Sequence, residues 1–172
     1  MTIAPFHIGP QIETIESSPL LKHDCRQTIQ GMVDGFACQD IDKVMLLVAE
    51  DAIYCDVLGG PPDGDIYRGK KDIRSAFQRQ FDMCGPHTFV NAKILVEGQL
   101  AFASWTMVVG DLEDSKALRL DGIDEFTLDE QGLVLVKKAW LKGHAKLRNY
   151  LILHRPQAVL SQLGYAFRSS IQ

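Results

Sequence analysis

One alternating stretch, residues 117–128, constrains the fold of this chain more than any other feature. It reads Ala-Leu-Arg-Leu-Asp-Gly-Ile-Asp-Glu-Phe-Thr-Leu. Successive side chains of a strand point to opposite faces, so one face of this stretch is apolar except for Asp124. A carboxylate among apolar side chains loses hydration and needs a hydrogen bond, a proton or an opposite charge. Asp124 is therefore either a structural residue, held by a nearby backbone amide, or an acid that lines a cavity.

Length and charge narrow the class of protein. The 172 residues fit one globular domain, and the formal net charge of -4 argues against a general nucleic-acid binder. Residues 143–172 nevertheless contain four basic residues and no acidic one. We expect an irregular arm over residues 1–19, a folded domain over 20–142 and a basic C-terminal extension over 143–172. The extension either docks on the body or on a partner subunit, or is simply solvated.

The cysteines and the N-terminal residues bear on the compartment. Four widely separated cysteines form no C-x-x-C pair, so their spacing gives no metal or thiol-redox signal. We interpret them as reduced thiols of a cytoplasmic protein. The first twenty residues lack a basic start and are interrupted by Pro5, Gly9 and Pro10, which is not typical of a secretory signal. No apolar run is long enough to span a membrane, so no membrane partner is expected.

Periodicity predicts helices in the first half of the chain. A helix is expected to begin near residues 21–24, with an apolar stripe that includes Met32 and Phe36. Asp40 is a candidate N-cap for a second helix that extends through Val48. A short strand over residues 52–58 places Tyr54 and Asp56 on one face, a loop follows over residues 59–69, and a third helix occupies residues 71–83.

The second half of the chain is β in character. Extended runs over residues 88–97, 99–109, 117–128 and 133–142 are joined by short turns, which predicts an antiparallel meander. We therefore expect an α+β fold, in which a curved antiparallel sheet forms a cone with three N-terminal helices packed on its concave face. The mouth of such a cone is a natural small-molecule pocket. Two short amphipathic pieces in the extension could cover this mouth or a neighbour; their apolar residues are Leu147, Leu151, Leu160, Leu163 and Phe167.

This order of elements resembles the nuclear transport factor 2-like fold, and within it the SnoaL-like cyclases and ketosteroid isomerases. Three local patterns over residues 20–142 carry the resemblance: 40–42 before a helix ending at 49–52, an aspartate strand followed by a Gly-rich loop and Gly69-x-x-x-Ile73-Arg74, and 123–126 before Asp129-x-x-Gly132. The resemblance implies a homodimer through the outer face of the sheet. It leaves the activity open, because this architecture hosts isomerases, dehydratases, epoxide hydrolases, cyclases and non-catalytic binders.

The ketosteroid isomerase pattern suggests roles for two acids. Asp56 matches the strand aspartate that moves a proton between substrate carbons, and Asp124 matches the protonated aspartic acid of the oxyanion hole. Met32 occupies the position of the isomerase's first-helix tyrosine, and a thioether cannot donate a hydrogen bond. Tyr54 is the candidate to replace that donor.

Two other branches of the fold resemble the chain less well. His87 is similar to one of the two catalytic histidines of the dehydratases, but the second histidine is not evident. The epoxide hydrolases need an acid in the last strand, where Val136, Lys138, Ala139 and Trp140 stand. We expect an aromatic and apolar wall for a flat ligand, so that the predicted substrate-binding residues are Met32, Phe36, Tyr54, His87, Trp105, Phe126 and Trp140.

Two functional hypotheses follow. In the first, the protein is an enzyme, without metal or organic cofactor, that acts on a hydrophobic polycyclic or terpenoid carbonyl compound. Asp56 is then the general base, and protonated Asp124 donates a hydrogen bond to the enolate. In the second, the protein is a non-catalytic binder of small molecules or proteins in which Asp124 is structural and Met32 belongs to an apolar lining.

Overall fold

The computed structural model describes residues 24–57, 64–157 and 159. The expected arm over residues 1–19 lies outside the described residues. The elements, in chain order, are α1 (Cys25–Ala37), α2 (Ile41–Leu46), β1 (Val48–Cys55), β2 (Ile66–Arg68), α3 (Lys70–Cys84), β3 (His87–Glu97), β4 (Leu100–Val109), β5 (Leu118–Leu128), β6 (Val134–Leu141) and α4 (His144–His154).

The long helices pack through the apolar stripes that the sequence predicts. The Asp24 side chain caps α1 by accepting the Arg26 backbone N–H at 2.9 Å, which satisfies a donor that the first turn leaves unpaired. Residues three and four apart in α1 and α3 are buried because they lie on one face of each helix. Helix α1 contacts β3 and β4, and α3 contacts β1 and β2. The buried stripe residues are Ile29, Met32, Phe36, Ile73, Phe77 and Phe81.

The six strands form one sheet in the order β2-β1-β6-β5-β4-β3. Strands β3 to β6 pair as the predicted antiparallel meander. Strand β1 lies parallel to β6, a pairing that local sequence patterns do not reveal. The main apolar core lies between this curved sheet and the helices on one of its faces. The α+β class and the helices-then-sheet order are confirmed.

The boundary between α2 and β1 differs from the prediction. The second helix was expected to extend through Val48, with a strand from residue 52, but α2 ends at Leu46 and β1 begins at Val48. Val48 pairs with Val134 of β6, and the Val134 N–H donates to the Leu47 carbonyl oxygen at 2.8 Å. A buried β-branched residue with a strand partner adopts the extended conformation despite its helical spacing.

The predicted loop over residues 59–69 also contains a strand. Residues 66–68 form β2, which pairs antiparallel with β1 so that Tyr67 lies opposite Tyr54. The Gly69 N–H donates to the Ala52 carbonyl oxygen at 2.8 Å, which closes this ribbon. Gly69 has φ 79°, a conformation that glycine adopts easily, and the chain turns there into α3.

The C-terminal extension begins with α4. Leu147 and Leu151 are both 3% exposed and join a second apolar cluster with Met107 and Leu120. Beyond α4, Arg155 donates to the carbonyl oxygen of Asp82 at 3.2 Å. The helix therefore covers one end of the sheet, and the predicted apolar positions 160, 163 and 167 lie outside the described residues. None of the described helices has both the length and the apolar character needed to cross a bilayer.

Candidate functional site

A cavity lies between the helices and the inner face of the sheet. Its empty space is about 1000 Å³, a volume that includes open solvent at its mouth. Residues from α1, α3, α4 and from the strands line it, and Asp56 and Asp124 are both among them. Most of the predicted substrate-binding residues also line the cavity, namely Met32, Phe36, Tyr54, Trp105, Phe126 and Trp140.

Two of the predicted substrate-binding residues, His87 and Trp140, do not lie deep in the cavity. His87 is not among the described residues that line the cavity. Trp140 lines it but is 47% exposed, and its cross-strand partner is Ile123, an exposed residue of the outer face. Trp140 therefore lies at the edge of the cavity, whereas the other predicted lining residues lie deeper in the fold.

Asp124 lies on the inner face of the sheet and is 8% exposed. Its cross-strand partners are Ala103 and Ala139, whose small side chains leave room beside the carboxylate. Its Oδ2 accepts the Trp105 indole N–H at 2.9 Å, and its Oδ1 accepts the Lys137 ammonium at 2.6 Å. Both oxygens are thus acceptors, as in an ionised carboxylate. This geometry favours an ionised Asp124 over the predicted uncharged acid, because the neighbouring ammonium supplies the positive charge that a buried carboxylate needs.

Lys137 is the residue that the sequence analysis missed. It is 5% exposed and lines the cavity. Its cross-strand partners are Tyr54 on β1 and Phe126 on β5, so the three residues form one row across the inner face. The ammonium lies 5.5 Å from the ring centroid of Phe36, 5.1 Å from that of Tyr54 and 5.7 Å from that of Phe126. Aromatic faces attract a cation, so these rings and Asp124 together hold the buried charge.

Gly122 lets the Trp105 indole reach Asp124. The two residues are cross-strand partners, and the indole lies across the glycine. A Cβ atom at Gly122 would be 2.1 Å from the indole ring, a separation that no side chain tolerates. The ring of Phe89 packs against the indole in a T-shaped contact, with the centroids 4.9 Å apart. Strand pairing and this glycine thus fix the direction of the indole N–H.

Asp56 and Tyr54 form a second polar pair in the cavity. Asp56 directly follows β1, and its backbone N–H donates to the Asp65 carbonyl oxygen at 2.9 Å. The Tyr54 hydroxyl donates to Asp56 Oδ1 at 2.9 Å. Burial, followed by the charge of Asp56, raises the pKa of Tyr54 well above its usual value, so the phenol keeps its proton. That proton is already donated to Asp56, so Tyr54 does not replace the donor that Met32 lacks.

His87 is buried but is not one of the described residues that line the cavity. Its Nδ1 is 2.7 Å from the Gly85 carbonyl oxygen, which makes Nδ1 the protonated nitrogen. Its ring packs near those of Phe81 and Phe89, and its Nε2 has no hydrogen-bond partner among the described residues. Burial lowers the pKa of His87, so the imidazole is neutral. This environment is that of a core histidine.

Cys84 and Arg79 also line the cavity. Burial raises the pKa of the Cys84 thiol to about 11, so it is not a thiolate nucleophile near neutral pH. The Arg79 guanidinium lies over the Tyr67 ring at 5.3 Å from its centroid, near the cavity. No three His, Cys, Asp or Glu side chains of the described part of the chain cluster as metal ligands would.

Solved structures share this architecture. An NTF2-like protein of unknown function from Mesorhizobium loti aligns with a TM-score of 0.57 and 16% identity, over 69% of this chain and 91% of that chain. A proposed polyketide cyclase from Pseudomonas putida aligns with a TM-score of 0.58 and 14% identity, over 71% and 94%. A steroid delta-isomerase from Pseudomonas aeruginosa aligns with a TM-score of 0.56 and 15% identity, over 86% and 93%. At these identities the alignments show a common fold.

The sequence itself identifies the family. None of the curated proteins compared with the chain matches it significantly. The model of the SnoaL-like domain family matches residues 29–136, which run from α1 into β6 and contain Asp56 and Asp124. The match covers more than half of the chain and agrees with the NTF2-like fold of the structural neighbours. The chain therefore belongs to the SnoaL-like domain family.

Proposed function

We propose that this protein is an enzyme that moves a proton next to the carbonyl group of a hydrophobic compound, in an isomerisation, cyclisation or dehydration without a cofactor. One observation carries the proposal: Asp56 and the Lys137–Asp124 pair line the same cavity, which is otherwise walled largely by aromatic and aliphatic side chains. A base and a cation at one apolar site are what the formation of an enolate requires.

Asp56 is the general base in this proposal. The Tyr54 hydroxyl donates to one of its carboxylate oxygens at 2.9 Å, and Asp56 lines the cavity. The base removes a proton α to the carbonyl and can return it to another carbon. This is the role that the isomerase resemblance assigns to the strand aspartate.

Lys137 takes the role of oxyanion donor, which the sequence analysis had given to Asp124. An ammonium carries three N–H bonds, and Asp124 accepts one of them at 2.6 Å. A ligand oxygen at the ammonium would accept another, and the positive charge would stabilise the enolate. Asp124 then acts as a positioning residue that holds Lys137. The ligand itself would lie against the apolar wall formed by Met32, Phe36, Trp105 and Phe126.

The test uses 2-tetralone, a bicyclic ketone with acidic α protons, in deuterated buffer. Proton NMR measures how fast the α protons are replaced by deuterium. We expect Asp56→Asn to slow the exchange by about 10²- to 10⁴-fold, the usual contribution of a general base. We expect Lys137→Met to slow it by about 10²- to 10³-fold, the usual cost of losing an oxyanion donor.

Each variant has a matched control on the same strand. Asp51→Asn changes an exposed acid of β1, and Lys138→Met changes a lysine of β6 that pairs with Glu125 on the outer face at 3.2 Å. Both controls should exchange 2-tetralone as fast as the parent. Equal rates for the parent and for Asp56→Asn would refute the proposed chemistry.

A second candidate function is the non-catalytic binding of a small hydrophobic molecule. Its supporting observation is that both oxygens of Asp124 are already hydrogen-bonded inside the fold, as a structural residue requires. A protein that binds 2-tetralone but does not accelerate its exchange would have this function.

We also propose that the protein is a homodimer through the outer face of the sheet. Three large apolar residues are exposed on that face: Leu95 at 66%, Ile123 at 40% and Trp140 at 47%. Ile123 and Trp140 are cross-strand partners on β5 and β6, Leu95 lies on β3 with β4 between, and a second copy would cover all three. Light scattering should give twice the mass of one chain, and Ile123→Glu should give a monomer; a monomeric parent would refute this. The cytoplasmic location stays a prediction.

A further inference from the structure

Lys137 differs from an ordinary protein lysine in its surroundings. Its side chain is 7% exposed, and its ammonium contacts three aromatic faces and one carboxylate. The next residue, Lys138, offers the contrast within the same strand, since its side chain is 45% exposed and its partner Glu125 lies on the outer face. Lys137 therefore presents a primary amine to the cavity, whereas Lys138 presents one to solvent.

The contact with Asp124 provides a route to the free amine. The Nζ and Oδ1 atoms are 2.6 Å apart, so a proton can pass along the existing hydrogen bond from Lys137 to Asp124. The transfer removes both charges at once. Since apolar surroundings stabilise charge poorly, they reduce the cost of this neutral pair relative to its cost in water. An uncharged amine is a nucleophile toward carbonyl carbon.

We propose that Lys137 forms a covalent Schiff base with β-dicarbonyl compounds. The inference rests on the proposed function for the carbonyl class of the ligand and extends it to covalent capture. After Asp124 takes the proton, the amine attacks the carbonyl carbon and a C–N bond forms. The carbonyl oxygen takes the proton from Asp124 and a second proton from the nitrogen, and the C–O bond then breaks as water leaves. The net reaction joins one ammonium and one carbonyl to give one protonated imine and one water.

The cavity favours a β-dicarbonyl over a simple ketone because it holds both an amine and a base. One carbonyl carbon of such a ligand would meet Lys137, while the acidic C–H between the two carbonyls is the kind of group that Asp56 deprotonates. Loss of that proton converts the imine into an enaminone, in which nitrogen is conjugated with the second carbonyl. This product resists hydrolysis, so it can be detected directly.

The test uses 1-phenylbutane-1,3-dione, an apolar β-diketone, and the full-length protein. We expect intact-mass spectrometry to show one adduct whose mass is that of the diketone less one water. Peptide mapping of the labelled parent protein should find at least ten times as much adduct on Lys137 as on any other lysine. Because this readout uses the parent protein, it does not depend on how a variant folds.

Variants then separate charge from nucleophilicity. Lys138→Met should form the adduct as the parent does. Lys137→Arg keeps a cation beside Asp124, but a guanidinium condenses with a β-diketone only by losing two waters, so the variant should lose the adduct that is less one water. Labelling that is absent, or spread equally over the surface lysines, would overturn the inference. If the parent does not form the adduct but still exchanges 2-tetralone, the proposed function stands and this inference fails. If the parent forms the adduct on Lys137 but does not exchange 2-tetralone, this inference stands and the proposed function fails.

Discussion

The substitution Lys137→Met tests whether the buried ion pair has the energetics that its geometry implies. The variant keeps an unbranched apolar stem in the row between Tyr54 and Phe126 but removes the ammonium. The Asp124 carboxylate then retains only the Trp105 N–H among the side-chain partners described here. The folded state is left with a buried charge that has no opposite charge beside it.

The structure sets the expected magnitude. The side chains of Lys137 and Asp124 are 7% and 11% exposed, and their charged atoms are 2.6 Å apart. Removing one partner of such a buried pair costs about 3 to 5 kcal/mol of unfolding free energy. The pair formed by Lys138 and Glu125 is 3.2 Å apart, with side chains 45% and 26% exposed. An exposed pair of this kind contributes only about 0 to 1 kcal/mol.

Urea unfolding provides the assay, and it compares five proteins: the parent, Lys137→Met, Lys138→Met, Asp124→Asn and the double variant. With a slope of about 2 kcal/mol/M, the loss in Lys137→Met corresponds to a midpoint lower by about 1.5 to 2.5 M. Lys138→Met is the matched control and should shift the midpoint by less than about 0.5 M. The double variant Asp124→Asn/Lys137→Met removes both charges and should regain most of the lost stability.

Either of two results would refute this reasoning. If Lys137→Met and Lys138→Met unfold at the same urea concentration, the ammonium of Lys137 is solvated in solution and the buried pair does not form. If the double variant is less stable than Lys137→Met by the full cost of Asp124→Asn, the two residues contribute independently and do not interact.

Two further predictions concern Gly122 and His87. Gly122→Ala should displace the Trp105 indole, because the new Cβ would lie 2.1 Å from the ring. We expect the free energy of unfolding in urea to fall by about 1 to 3 kcal/mol and the tryptophan fluorescence to change. An unchanged fluorescence spectrum would contradict this prediction. Burial lowers the pKa of His87, so below about pH 6.5 the unfolded chain binds a proton that the folded protein does not. Stability should therefore fall with falling pH, by at most about 1.4 kcal/mol per pH unit for this proton, and His87→Gln should remove that part of the dependence.

The fold was predictable where a local pattern and the tertiary structure agree. Alternation in residues 117–128 predicted that Asp124 shares a face with Phe126 and Leu128, and all three are buried in β5. The helical stripes of α1 and α3 were predicted for the same reason. In each case the side-chain period alone decides which residues face the core.

The sequence failed where long-range pairing decides the outcome. Val48 fits a helical stripe, but its pairing with Val134, far along the chain, makes it a strand residue. Lys137 reads as a polar residue in a strand until the register places it between Tyr54 and Phe126. Alternation within β6 could have indicated Lys137, since it shares a face with Ala139. Its partner Asp124, and hence the charge state of the site, required the structure.

The room for the Trp105 indole could not be predicted at all. Glycine at position 122 is compatible with a bulge, a turn or a close contact. Only the cross-strand pairing of Trp105 with Gly122 shows that the residue makes room for an aromatic ring, which in turn donates to Asp124.

The binding of 2-naphthol tests the central claim most directly, namely that the Lys137 ammonium offers a hydrogen bond to a ligand oxygen inside an apolar cavity. This planar phenol resembles the enol of 2-tetralone, and naphthalene is the same ring system without the oxygen. Fluorescence titration should show that the parent binds 2-naphthol more tightly than naphthalene by about 10-fold or more, since a hydrogen bond to a charged group contributes roughly 1.5 to 3 kcal/mol. Lys137→Met should bind the two compounds equally, and Lys138→Met should keep the preference. A parent protein that does not distinguish 2-naphthol from naphthalene would contradict the account.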